Sequence, residues 1–133
     1  MATRTADERR TEERLAYDAF VKDCPTSRLL ARISDKWVSL IVSALGERSP
    51  MRYSDLNRRI PGVSEKMLTQ TLRSLERDGI VARTVTASVP VRVDYELTDL
   101  GRSLSCLLSA VKDWAETHIE EVDAARERYD KAG

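Results

Sequence analysis

The chain has little of what most binding and catalytic chemistry needs. Its 133 residues include two cysteines, Cys24 and Cys106, and one histidine, His118. Two cysteines are too few for a disulfide scaffold or a cysteine-rich zinc site. A lone histidine leaves most histidine-based metal sites without ligands, so no metal and no cofactor is expected. No apolar run approaches the ~18 residues of a membrane span. The stretch Met1 to Arg14 is polar and charged and lacks the apolar core of a secretory signal. No GxGxxG, GxxxxGK[ST] or GxSxG pattern is present, which removes the commonest phosphate-cradling and nucleophile-elbow motifs. The expectation is a small soluble cytoplasmic protein: one domain with terminal extensions, and hydrophobic residues at 41%, enough for a modest core.

The chain also lacks net charge, with 22 basic and 22 acidic side chains, but those charges are unevenly placed. Residues 1–23 and 100–133 are slightly acidic, and 52–92 hold eight basic side chains against four acidic. A basic middle between acidic ends suits an anionic partner, although a solvated face can look the same.

Patterning predicts the elements in order. Residues 1–23 read as a mostly polar helix with Leu15, Ala16, Ala19 and Phe20 as its apolar stripe. Cys24-Pro25 breaks it, and Pro25 suits the first position of a second helix carrying Leu29, Leu30 and Ile33 inward. Ser34 can cap a third helix, in which Trp37, Leu40, Ile41, Ala44 and Leu45 recur at helical spacing and Gly46 marks the end. A short helix capped by Ser54 carries Tyr53, Leu56 and Ile60. After the Pro61-Gly62 turn, Ser64 caps a helix over 65–78 closed by Gly79. Ile80 to Val85 and Arg92 to Leu97 read as a β-hairpin around a loop holding Pro90. A long helix follows from Thr98 toward residue 130. The fold class is therefore mainly α with a small β-hairpin wing: a winged helix-turn-helix, with N- and C-terminal helices forming a dimer interface. The expected domains are an N-terminal extension (1–23), the winged unit (24–99) and a dimerisation helix (100–133).

The 65–78 helix has two unlike faces. At 100° per residue from Leu68, Leu72 and Leu75 fall within about 40° of it, while Lys66, Gln70, Arg73 and Arg77 lie about 140–200° away. Thr69 and Met67 flank that outer face. Arg and Lys pair with guanine, Gln with adenine, and a Thr methyl meets the thymine methyl. The N-terminal part of such a helix meets the bases, which ranks Lys66, Thr69, Gln70 and Arg73 above Arg77. Arg92 beside the hairpin loop can reach phosphate or the minor groove. Arg52, Arg58 and Arg59 can neutralise flanking backbone. Ser64, the helix cap, and Met67 complete the expected DNA-binding set. Each of these residues also suits an ordinary solvated surface.

The blocks Cys24-Pro25, Asp35-Lys36-Trp37, Arg52-Tyr53-Ser54-Asp55-Leu56 and Ile60-Pro61-Gly62-Val63-Ser64-Glu65-Lys66-Met67-Leu68-Thr69-Gln70 resemble the HxlR-type winged-helix regulators. So do Leu72, Leu75-Glu76, Asp78-Gly79, Val89-Pro90, Arg92-Val93-Asp94-Tyr95, Leu97-Thr98 and Leu100-Gly101. The match spans about residues 24–115. It departs at Tyr53, where Phe is common, and at Val91, where a second proline is common. The resemblance implies a dimeric bacterial transcription factor of the wider MarR-like group, bound to double-stranded operator DNA with palindromic or near-palindromic symmetry. It also implies that a cysteine before a proline, here Cys24, can sense oxidants or electrophiles.

Chemistry at Cys24 fits that role. A thiol at a helix start next to Pro25 feels the helix dipole, which favours thiolate; Lys22 and Arg28 would add to this and Asp23 oppose it. A quiet packed cysteine is the other reading. Cys106, beside Leu104 and Leu107, is expected as a small core residue, and His118 as a solvated or interface side chain. Leu100, Leu104, Leu107, Val111 and Trp114 step by four and three, a heptad-like seam that a core of this size cannot obviously cover. A homodimer through that seam is expected. The leading expectation is a homodimeric DNA-binding repressor, with oxidant sensing through Cys24 or a small non-covalent effector near the dimer interface. The rival is a winged-helix module that binds protein. An enzyme using Cys24 as nucleophile lacks a visible base.

Overall fold

Thr5 sets the first helix with a reciprocal cap. Its Oγ1 accepts from the Glu8 N–H at 3.1 Å, and the Glu8 carboxylate accepts from the Thr5 N–H at 3.0 Å. The computed structural model describes residues 5–133, so residues 1–4 of the expected 1–23 helix lie outside the described residues. Helix α1 (Ala6–Asp23) ends at Cys24, whose N–H donates to the Phe20 carbonyl at 2.9 Å. Helix α2 (Pro25–Ile33) starts one residue later with Pro25 in its first turn. The chain forms two compact units, one up to Lys36 and one over Trp37–Gly133.

The first unit differs from expectation in its packing. Neither α1 nor α2 buries a residue. Leu29 and Leu30 are exposed and Ile33 is half-buried. Two helices alone provide no further layer to close over an apolar face. Ser34 does not cap the third helix; it closes α2, donating its N–H to the Leu30 carbonyl at 3.0 Å.

The second unit holds the core. Helix α3 (Lys36–Glu47) buries Val38, Ile41, Val42, Ala44 and Leu45, while Leu40, expected inward, is exposed. Gly46 does not terminate α3 by a left-handed turn but lies within its last turn. A Cβ there would stand 2.4 Å from Ser105 Oγ, so its smallness serves close packing. Strand β1 (Met51–Arg52) leads into α4 (Tyr53–Arg59), which starts one residue before the expected Ser54 cap. Arg52 occupies the cap position, and its N–H donates to the Asp55 carboxylate at 3.3 Å.

After the turn at Gly62 (φ +79°), helix α5 (Glu65–Arg77) buries Leu68, Thr71, Leu72 and Leu75, and Gly79 (φ +76°) follows it. These left-handed conformations are where glycine is favoured. Strands β2 (Val81–Thr86) and β3 (Arg92–Leu97) form the expected antiparallel hairpin. The two-residue β1 joins it, pairing Met51 with Tyr95 and Arg52 with Asp94, and makes a three-stranded sheet in the order β1-β3-β2.

Helix α6 (Asp99–Ala132) begins on the Thr98 cap, whose Oγ1 accepts from the Gly101 N–H at 3.0 Å. The Thr98 hydroxyl and N–H meet the Gly79 and Ile80 carbonyls, which stitches the start of α6 to the end of α5. Within α6 only Gly101 and Leu108 are buried. Cys106 is exposed and so is not the core residue expected. It lies about 160° around the helix from the buried Leu108 and so faces away from the core. No helix among the described residues is long and apolar enough to cross a membrane.

Candidate nucleic-acid interface

Three restraints position α5. Ser64 Oγ accepts from the Met67 N–H at 3.1 Å and fixes its first turn. The buried face anchors its length, and the Thr71 hydroxyl donates to the Met67 carbonyl at 2.7 Å. The Tyr53 hydroxyl reaches across from α4 to the Glu65 carbonyl at 3.0 Å and to Thr69 Oγ1 at 3.1 Å. Lys66, Gln70, Arg73 and Arg77 are exposed along one side of α5, with Met67 and Thr69 half-buried at its margins. A helix held on one face and polar on the other can lie in a major groove and present base-reading groups.

The expected backbone-contacting arginines separate into different places. Arg52 and Arg92 line one cleft with Ser54, Ser88 and Pro90, where the start of α4 meets the wing. There Arg92 Nε pairs with Asp94 at 2.9 Å, and the Ser88 hydroxyl donates to the Pro90 carbonyl at 2.7 Å. Arg58 pairs with Asp55 at 2.6 Å along α4. Arg59 instead pairs with Glu47 at 2.7 Å, in a groove that it shares with Leu108, Val111 and Lys112 of α6. The two arginines hold their carboxyls below the usual range: Glu47 through the Arg59 hydrogen bond, Asp55 through that of Arg58 and the Arg52 N–H.

Sequence reading missed Arg83. It stands opposite Tyr95 in the β2–β3 register and therefore shares the face of that buried ring. With Tyr53, Thr69, Arg73 and Glu76 it lines a concave cleft of about 500 Å³ between α5 and the sheet. The signal was the period-two step from Val81 to Arg83, legible only once the strand register is known.

Cys24 is half-buried at the start of α2. The backbone N–H groups of Ser27 and Thr26 hold its thiol below the usual range. The expected help from Lys22 and Arg28 is not among the causes. A shallow crevice lined by Ala16, Ala19, Phe20 and Pro25 lies beside it. The seam residues Leu100, Leu107, Val111 and Trp114 are all half exposed or more, and Leu104 is half-buried. Further along, Val122 and Tyr129 are also exposed. His118 stacks on Trp114 with ring centroids 4.5 Å apart.

A capped helix after a glycine turn, followed by a hairpin and a flanking long helix, defines a winged helix-turn-helix protein of the DNA-binding regulator class. Comparison with known sequences narrows the class. Residues 32–123 match the HxlR-like helix-turn-helix family, and the chain belongs to that family. The HTH-type transcriptional regulator YtfH of Escherichia coli strain K12 is 44% identical over 108 residues, covering 81% of this chain and 85% of that one. The solved structure of the regulator YtfH from Salmonella typhimurium is similar at a TM-score of 0.71 and 42% identity, covering 81% of this chain and 96% of the other. The redox regulator HypR in its reduced form also has a TM-score of 0.71, at 33% identity over 75% of this chain and 98% of its own. The family and the two YtfH proteins are transcriptional regulators, not enzymes.

Proposed function

We propose that this regulator acts as a cytoplasmic homodimer that represses transcription from a two-fold operator. Residues 100–133, with help from 1–23, pair the chains, and residues 24–99 read DNA. Each α5 enters a major groove, with Lys66, Thr69, Gln70 and Arg73 toward bases. Arg52 and Arg92 meet phosphate at the wing. One observation carries this reading: α5 is buried along one side and exposes Lys66, Gln70, Arg73 and Arg77 along the other. The exposed seam of α6 supports pairing, because apolar stripes of that kind are ordinarily covered. A footprint of the protein on its own upstream DNA should show two protected half-sites about 10 bp apart or a multiple of that. Sedimentation should give twice the chain mass, and Val111→Asp should shift it toward one chain. A stable wild-type monomer, or protection without two-fold character, refutes the reading.

A second observation favours control through Cys24. Its thiol is held toward the reactive thiolate by N–H groups at the start of α2, and HypR, named a redox regulator, is among the similar structures. In this reading an oxidant modifies Cys24 and DNA is released.

A further inference from the structure

Thr69 lies at the margin of the reading face, and its hydroxyl is already engaged. The Tyr53 oxygen stands 3.0 Å from the Glu65 carbonyl and 3.1 Å from Thr69 Oγ1. A carbonyl only accepts, so the Tyr53 O–H donates to Glu65. A phenol has one hydrogen, and the contact with Thr69 then runs the other way, with the Thr69 hydroxyl donating to the Tyr53 oxygen. The one donor of Thr69 is thereby committed inside the protein. Its methyl is left for an outside group. Thr69 shares the cleft between α5 and the sheet with Tyr53 and Arg73, so these three side chains form one continuous surface.

We propose that Tyr53 is a positioning residue for base specificity: by holding the Thr69 hydroxyl, it presents the Thr69 methyl to the 5-methyl group of a thymine. In the major groove thymine is marked by that methyl, and a threonine methyl recognises it by apolar contact. A threonine free to rotate could instead donate to base acceptors or to phosphate, and would discriminate less. The inference rests on α5 being the major-groove reader, and adds what its first turns read and which residue outside the helix sets that reading.

The test uses the full chain and a site selected by it from random-sequence duplexes. Each thymine of that site is replaced in turn by uracil, which removes only the 5-methyl. Wild type should lose about fourfold in affinity at one thymine per half-site, the effect of one methyl withdrawn from an apolar contact. Thr69→Ser should abolish that penalty. Tyr53→Phe keeps the ring, and should shrink the penalty below twofold while leaving affinity for nonspecific DNA unchanged. Adding Thr69→Val to Tyr53→Phe should restore it, because valine presents a methyl in either orientation. General loosening of the fold cannot produce that rescue. A wild type that selects a site but ignores uracil at every position overturns the proposal and leaves α5 as reader. Tyr53→Phe with the full penalty overturns the positioning role. A protein that selects no site overturns both.

Discussion

Gly101 offers the sharpest test of how the long helix is joined to the chain that follows α5. A Cβ at this position would stand 2.1 Å from the Ile80 carbonyl oxygen and 3.1 Å from its carbon. Side-chain carbons do not approach below 3.0 Å, so the substitution Gly101→Ala must push α6 off the chain at Ile80 by about 1 Å. That carbonyl also accepts from the Thr98 N–H at 3.0 Å and lies 3.1 Å from the Thr98 hydroxyl. Weakening one or both costs about 1 kcal/mol each. Overpacking adds about 1–3 kcal/mol. Against this, alanine is favoured over glycine in a helix by about 1 kcal/mol. The expected net loss is about 1–4 kcal/mol, or a fall in Tm of roughly 4–16 °C. Urea unfolding followed by circular dichroism measures it, at one fixed protein concentration because the proposed pairing would feed into apparent stability. Gly46→Ala is the control. The one contact its Cβ would make too closely is with the rotatable Ser105 hydroxyl at 2.4 Å, and the change should stay within about 1 kcal/mol either way. A Gly101→Ala protein as stable as wild type, or more stable, refutes the close approach; equal losses in the two variants show that the approach to Ile80 is not what sets the cost.

Other outcomes follow from the same geometry. Arg73→Ala or Gln70→Ala should cost about 1–3 kcal/mol at the cognate site and little elsewhere, whereas Arg92→Ala should weaken all duplexes and flatten the salt slope by about one, measured by fluorescence anisotropy against salt. Cys24→Ser should keep DNA affinity and lose the response to diamide, with Cys106→Ser retaining both; a Cys24→Ser protein that still releases DNA on oxidation removes the switch from this residue. Glu47 and Asp55 have folded pKa values depressed by Arg59 and Arg58, so their stabilising contribution is present above the ordinary carboxylate range near about 4 and is lost as pH falls through the lower folded values. An acid unfolding curve should therefore lose part of its low-pH slope in Glu47→Gln and Asp55→Asn.

Local signals carried much of the architecture. The Ser64 cap, Pro61-Gly62, Gly79 and the alternation over Arg92 to Leu97 each act within a few residues, and each was legible. Three caps were misplaced by one or two residues for the same reason: at Ser34, Ser54 and Gly46 several neighbours satisfy the local rule, and tertiary packing chooses among them. Strand β1 was invisible because two residues carry no periodicity, and Tyr95 and Asp94, which pair with it, lie more than forty residues on. On the exposed face of α5, helical angle alone placed Lys66, Gln70, Arg73 and Arg77. Arg59 is different, since its carboxylate partner Glu47 sits in another helix and turns it toward α6. Arg83 was hidden in the same way by strand register, and the commitment of the Thr69 hydroxyl by a tyrosine sixteen residues earlier. Where a partner is distant along the chain, composition shows that a charge exists but not which way it points.

The core of the second unit closes at Leu108, and no residue of α6 after it is buried. The surface suited to pairing and the surface suited to reading thus lie on separate stretches of one polypeptide. That separation has a genetic consequence. In the proposed homodimer, a chain with a ruined α5 face but an intact α6 would still be taken up by a normal chain, and would disable the normal chain's half-site as well as its own. Alleles at Arg73 or Gln70 should therefore be dominant over wild type when both are expressed. Alleles that break α6 at Val111 or Trp114 should be recessive, because their product is left out of every mixed pair. Inheritance pattern alone would then sort substitutions by the part of the chain they damage.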